Sequence, residues 1–114
     1  MPLDRQAAFM AAVRQAAGQF APRGLEYVYH QVLRLARRGS GFRQVPAPEF
    51  CRVFLEMASA DFGNLALHVL ERWGLRSGED LGRAIFLLAE RKCLSLADGE
   101  TLEDYAAAGV FRFS

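Results

Sequence analysis

The sequence predicts a mainly α fold, about five helices in one compact domain with a small C-terminal β-hairpin, and three observations predict it. Apolar residues recur at helical spacing from residue 5 to residue 92, interrupted at segments containing Gly and Pro. Beyond residue 92 the spacing changes to alternation, the period of a strand. The 114 residues, 52% hydrophobic with nine Phe, suit one core and lie far from the composition of disordered chains. The expectation is therefore α+β, with residues 1–114 a single domain: 1–22 form an N-terminal helix and linker, and 25–114 the main body.

Asp4 is placed to cap a first helix from about Arg5 to Gln19, in which Phe9, Val13, Ala16 and Ala17 make one apolar stripe. Ala21-Pro-Arg-Gly24 breaks it. A second helix, Leu25 to Arg38, puts Leu25, Val28, Val32 and Leu35 on one face and gathers basic residues at the negative pole of its dipole, with Gly39 as the stop. Residues 39–44 form a polar linker, and Val45 ahead of Pro46 is held extended. Pro48 suits the first turn of a third helix, Pro48 to Ala60, where a missing N–H costs nothing and Glu49 meets the positive pole. Phe50, Cys51, Phe54, Met57 and Ala58 are its core face.

Phe62-Gly63 interrupts, and a fourth helix, Asn64 to Trp73, uses Leu65, Val69, Leu70 and Trp73 before Gly74 ends it in the left-handed conformation. Ser77-Gly-Glu-Asp80 then has the form of a capping box, and the fifth helix, Leu81 to Lys92, follows. Its run Ala84 to Ala89 is apolar on every side, which makes it the most buried helix. Cys93-Leu-Ser-Leu96 and Val110-Phe-Arg-Phe113 alternate and predict the two strands of the hairpin. Asp98-Gly99 is a turn signal, and Glu100 to Gly109 has room for one helical turn around Leu102 and Tyr105.

From Leu25 to Ser114 a set of motifs stands together: Glu26-Tyr-Val28, Val45 with Glu49, Ala58, Phe62-Gly63, Val69-Leu70, Trp73-Gly-Leu75, Glu79-Asp-Leu-Gly82, Ile85-Phe86, Glu103-Asp-Tyr105 and Val110-Phe-Arg-Phe113. On these residues the chain resembles the Minf-type family of small uncharacterised bacterial proteins, whose function is unknown. The resemblance implies the architecture and a bacterial origin. It implies no catalytic residues, because the chain carries Gln44, Pro46, Leu55, Arg83 and Leu87 where the family pattern has His, Ser, Arg, Glu and Asn.

The longest apolar run, Ala84 to Ala89, falls short of the ~18 residues needed to cross a bilayer. Residues 1–20 carry Arg14 within their apolar pattern and no cleavage site. The expectation is a cytoplasmic chain that does not engage a membrane. Cys51 and Cys93 lack CxxC spacing and read as small buried hydrophobes, with a disulfide left open. With His30 and His68 they make four zinc-type donors, but about 20 residues apart rather than in close pairs, so no metal is expected. The pairs Glu79-Asp80 and Glu103-Asp104 suit helix starts better than acid–base chemistry, since sequence neighbours do not face each other on a helix. Gly39-Ser-Gly41 has neither the strand nor the Lys of a phosphate loop. The sequence thus predicts no enzyme and no cofactor.

The formal net charge is +1, unevenly placed: residues 1–60 hold eight Arg against four acids, residues 61–114 six basic residues against nine acids. Arg34, Arg37, Arg38 and Arg43, with Phe42 among them, form a local basic cluster able to contact phosphates or an acidic partner. Helices followed by a hairpin suggest a winged-helix-like nucleic-acid binder, although Leu87 and Leu88 leave the last helix without the polar face that groove reading needs. Tyr27, Tyr29, Phe42, Phe111 and Phe113 are many aromatics for one small core, and a hairpin edge can pair with another chain. The first expectation is a non-catalytic protein that binds another macromolecule or itself, through the Arg cluster or through Phe111 and Phe113. The alternative is the nucleic-acid binder.

Overall fold

Helix boundaries in this chain follow from a few residues that satisfy or forgo the end groups of each helix. The computed structural model describes residues 2–37, 47–91, 93 and 101–112. They form α1 (Pro2–Gln15), α2 (Pro22–Arg37), α3 (Ala47–Phe62), a 3-10 turn (Gly63–Leu65), α4 (Ala66–Arg72), α5 (Gly78–Glu90) and a short α6 (Leu102–Ala106). The first five match the five expected helices, and α6 is the expected turn around Leu102 and Tyr105. Two starts differ. Helix α1 begins at Pro2, ahead of Asp4, and α2 begins at Pro22, inside the segment read as a break. The reason is the same in both: proline at the first helical position loses only an N–H that has no intrahelical partner.

Gly74 ends α4 as expected. At φ +91° it lets the Leu75 N–H donate to Leu70 O at 2.9 Å and its own N–H donate to Glu71 O at 3.0 Å, while Leu70 and Leu75 are both buried. Ser77 caps α5 by accepting from the Asp80 N–H at 3.2 Å. The Asp80 carboxylate reaches one residue further back than a capping box requires, accepting the Arg76 N–H at 2.9 Å. The reciprocal box stands instead on α6, where Thr101 and Asp104 each accept the other's backbone N–H.

One core joins these helices. Helix α5 lies centrally, touching α1, α2, α3 and α6, and buries Leu81, Ala84, Ile85 and Leu88. Phe86 and Leu87 are half-buried and Arg83 is exposed, so the helix keeps one open side. Helix α6 approaches closely because α5 offers glycines: a Cβ on Gly82 would stand 2.7 Å from the Tyr105 Cβ. Tyr105 is buried as a result, edge-on to Phe86. The run Ala47–Arg72 is, by length and composition, apolar enough to cross a bilayer. It is interrupted at Gly63, and its Phe50, Phe54, Met57, Ala58, Ala66 and Leu70 belong to the core.

The C-terminal β-hairpin is a correction. The described residues contain no strand, hence no hairpin edge and no wing. Alternation over 110–112 is real, with Val110 and Arg112 exposed and Phe111 buried, and its extended backbone does pair. The partner is the loop before α5: Ser77 and Val110 form one antiparallel bridge, Gly78 N–H donates to Gly109 O and Phe111 N–H donates to Arg76 O, both at 2.9 Å. Period two signals extended backbone and cannot name what it pairs with. Of the other expected strand, Cys93 is a bend and residues 94–96 lie outside the described residues.

Candidate functional site

The basic cluster is only partly described. Arg38, Phe42 and Arg43 lie outside the described residues, as does Phe113, and Arg37 is placed only as the last residue of α2. Arg34 is described and engaged. Its Nη1 lies 3.4 Å from Asp61 Oδ2 on α3 and donates to Gln31 Oε1 at 2.9 Å. Tyr27 donates to the same Asp61 oxygen at 2.7 Å and rests among Phe54, Phe62 and Trp73, with ring centroids 5.3–5.6 Å away. Burial first, then the hydrogen bond to Asp61 and its negative charge, hold the Tyr27 hydroxyl well above the ordinary tyrosine range. Tyr27 is thus a neutral donor that ties α2 to α3 rather than a base or nucleophile. Arg34 is the fourth member of this network, already matched to a carboxylate.

Phe111 is 7% exposed and packs against Phe54, 6.3 Å between centroids. It is a core residue rather than a surface anchor. Tyr29 is half-buried against Phe9. Three of the four paired acids are engaged: Glu79 pairs with Arg83, and Asp80 and Asp104 accept backbone N–H groups, while Glu103 is exposed. His30 and His68 are exposed, and no three His, Cys, Asp or Glu among the described residues stand close enough to hold a metal ion.

Cys51 and Cys93 are free thiols. Burial pushes the Cys51 thiol up to about 12 and raises Cys93 as well, away from the thiolate that nucleophilic chemistry needs. This has a sign that can be measured. A folded-state pKa above the unfolded one supplies stability that is complete below the unfolded thiol value near 8.5 and is lost as pH rises toward the folded value. Relative to Cys51→Ala, the native chain is expected to lose about 2 kcal/mol of unfolding free energy between pH 7 and pH 10. Urea titrations of both proteins at the two pH values check this, and parallel losses would remove the buried-thiol account.

Two open grooves stand out among the described residues. The first, about 570 Å³, runs between α1, α5 and α6 and is lined by Gln15, Gln19, Arg83, Leu87, Glu90 and Leu102 among others. Its charged groups and Gln15 are matched within the chain: Arg83 to Glu79, and Gln15 to both Glu90 and Arg91. The second flanks α4. On one side a hollow of about 610 Å³ lies between α4 and the α1–α2 turn, with Arg14, Arg72, Arg76 and Trp73 in its lining. The turn is pinned there by the Ala21 N–H, which donates to Trp73 O at 3.2 Å. On the other side a hollow of about 490 Å³ is lined by Leu67, His68, Leu75, Val110 and Phe111. Glu71 and Arg76 line both hollows, so the two meet along α4.

None of the hydrogen bonds or ion pairs among the described residues uses the side chains of Arg14, Arg72 or Arg76. Val110, 69% exposed, adds an apolar rim. Sequence reasoning missed this surface because its arginines stand on α1, α4 and the following loop, up to 62 residues apart. The one local hint was Arg72-Trp-Gly-Leu-Arg76, a helix end that places an aromatic and two arginines at one corner. No family model, curated protein or solved structure matches the chain, and the family resemblance drawn from its motifs gains no support there.

Proposed function

We propose that this chain is a non-catalytic interaction domain that binds another macromolecule. The supporting observation is the surface along α4, where three arginines with no side-chain partner among the described residues adjoin the exposed Val110 and the half-buried Leu67 and Trp73, while Asp80 and Asp104 cap helices, Glu79 is paired and Cys51 is buried. A surface that mixes unmatched charge with exposed apolar area suits recognition, in which the partner supplies the missing contacts. Arg34 is a weaker choice for phosphate contact than the sequence suggests, because a phosphate would have to compete with Asp61.

Affinity purification of the tagged chain from its source cells, with and without nuclease, tests the reading. A stoichiometric protein partner that survives nuclease is the expected result. Recovery of nucleic acid alone, lost at high salt, would replace it with phosphate binding through the arginines.

A further inference from the structure

We infer that the surface along α4 receives an acidic, amphipathic segment of another protein, its carboxylates meeting Arg14, Arg72 and Arg76 and its apolar side chains resting on Leu67 and Val110. The inference rests on the interaction reading above and adds the chemistry of the partner and the place where it sits.

Charge argues for the occupant first. Elsewhere Arg34 pairs with Asp61, Arg52 with Glu56 and Arg83 with Glu79, and Arg91 donates to Gln15; among the described residues Arg23 and Arg112 also make no ion pair, but neither lines these hollows. In the α4 surface three guanidinium groups face one carboxylate, that of Glu71, which leaves an excess of two positive charges. A guanidinium matches a carboxylate in a planar, two-bond geometry, so an acidic side chain is a good complement.

The second argument is the apolar half. Leu67 and Val110 give nothing to a phosphate backbone, whereas apolar side chains of a peptide can bury against them. A peptide with carboxylates on one flank and apolar residues on the other satisfies both hollows together, as helices do when they dock in grooves. The path also continues along α4 on both of its sides, which suits a segment of several residues better than a small molecule.

The test titrates the 15N-labelled full chain with a synthetic peptide of about four helical turns, bearing a Leu face flanked by Glu. Amide shifts are expected over residues 67–76 and 110–112. Arg72→Ala with Arg76→Ala is expected to weaken binding about tenfold, the combined effect of two solvent-screened ion pairs. Val110→Asp is expected to weaken it as well, and Arg52→Ala, outside the surface, to leave it unchanged. Equal binding of the same peptide with Lys for Glu would overturn the inference, as would shifts confined to another face. A single-stranded oligonucleotide that moves the α4 amides at lower concentration than the peptide would assign the surface to nucleic acid instead. If a partner recovered from cells stays bound to the Arg72→Ala, Arg76→Ala chain, the interaction reading stands and this placement falls; if only nucleic acid is recovered, both fall.

Discussion

Replacing Phe111 by Ala is expected to lower the unfolding free energy by about 3 kcal/mol, the usual cost of deleting a buried aromatic ring. The ring is 7% exposed and meets Phe54, which in turn touches Phe50 and Tyr27, so the cavity would open beside the aromatic cluster that joins α2 to α3. A second loss follows, because the ring anchors the segment whose Phe111 N–H donates to Arg76 O and whose Gly109 O accepts from Gly78 N–H. Faster hydrogen exchange at the Gly78 and Phe111 amides should accompany the lower urea midpoint. Val110→Ala is the control: that side chain is 69% exposed, and its loss should shift stability by less than about 0.5 kcal/mol. If the two variants behave alike, Phe111 is not packed as described. The comparison also bears on function. Phe111 walls the hollow beside α4, so weaker partner binding in Phe111→Ala would report a damaged wall, whereas weaker binding in Val110→Asp would report a lost contact.

The helices were legible because their signals are local. Gly74 after Trp73, Ser77 ahead of Asp80 and the spacing of Phe50, Phe54, Met57 and Ala58 act within one or two turns, and each appears in the structure where the sequence puts it. Pro22 shows the limit of such reading, since the same residue ends one helix pattern and starts another. The hairpin failed for a different reason. Residues 110–112 are extended, but their partner, Arg76 to Gly78, lies more than 30 residues away and carries no alternation of its own. The candidate surface was hidden in the same way. A run such as Arg34 to Arg43 draws the eye because its members are close in sequence, yet Arg34 is matched by Asp61 from another helix, while Arg14 and Arg72, far apart in sequence, line one hollow where the α1–α2 turn is hydrogen-bonded to Trp73. Pairing across the fold decides which charges remain available, and composition does not record it.

Gly74→Ala is expected to destabilise the chain most, by about 4 kcal/mol, and two other glycines separate its causes. Gly63 also has positive φ, +61°, but nothing lies within 4 Å of where its Cβ would stand, so Gly63→Ala should cost only the left-handed conformation, about 1 kcal/mol. Gly78 shows the other cause alone. Its φ is not positive, but a Cβ there would fall 2.1 Å from Tyr105 O, and moving α6 away should cost about 2 to 3 kcal/mol. Gly74 combines both causes, with φ +91° and a Cβ position 2.3 Å from Gln19 O, a backbone atom that cannot rotate aside. Against a total stability of about 5 to 15 kcal/mol, the change should be plain in a urea titration. The order Gly74, Gly78, Gly63 is the result to look for. A Gly74→Ala cost no greater than that of Gly63→Ala would mean that Gln19 does not press on the end of α4. The α1–α2 turn would then not be seated there, and the hollow that brings Arg14 to Arg72 and Arg76 would lose its wall.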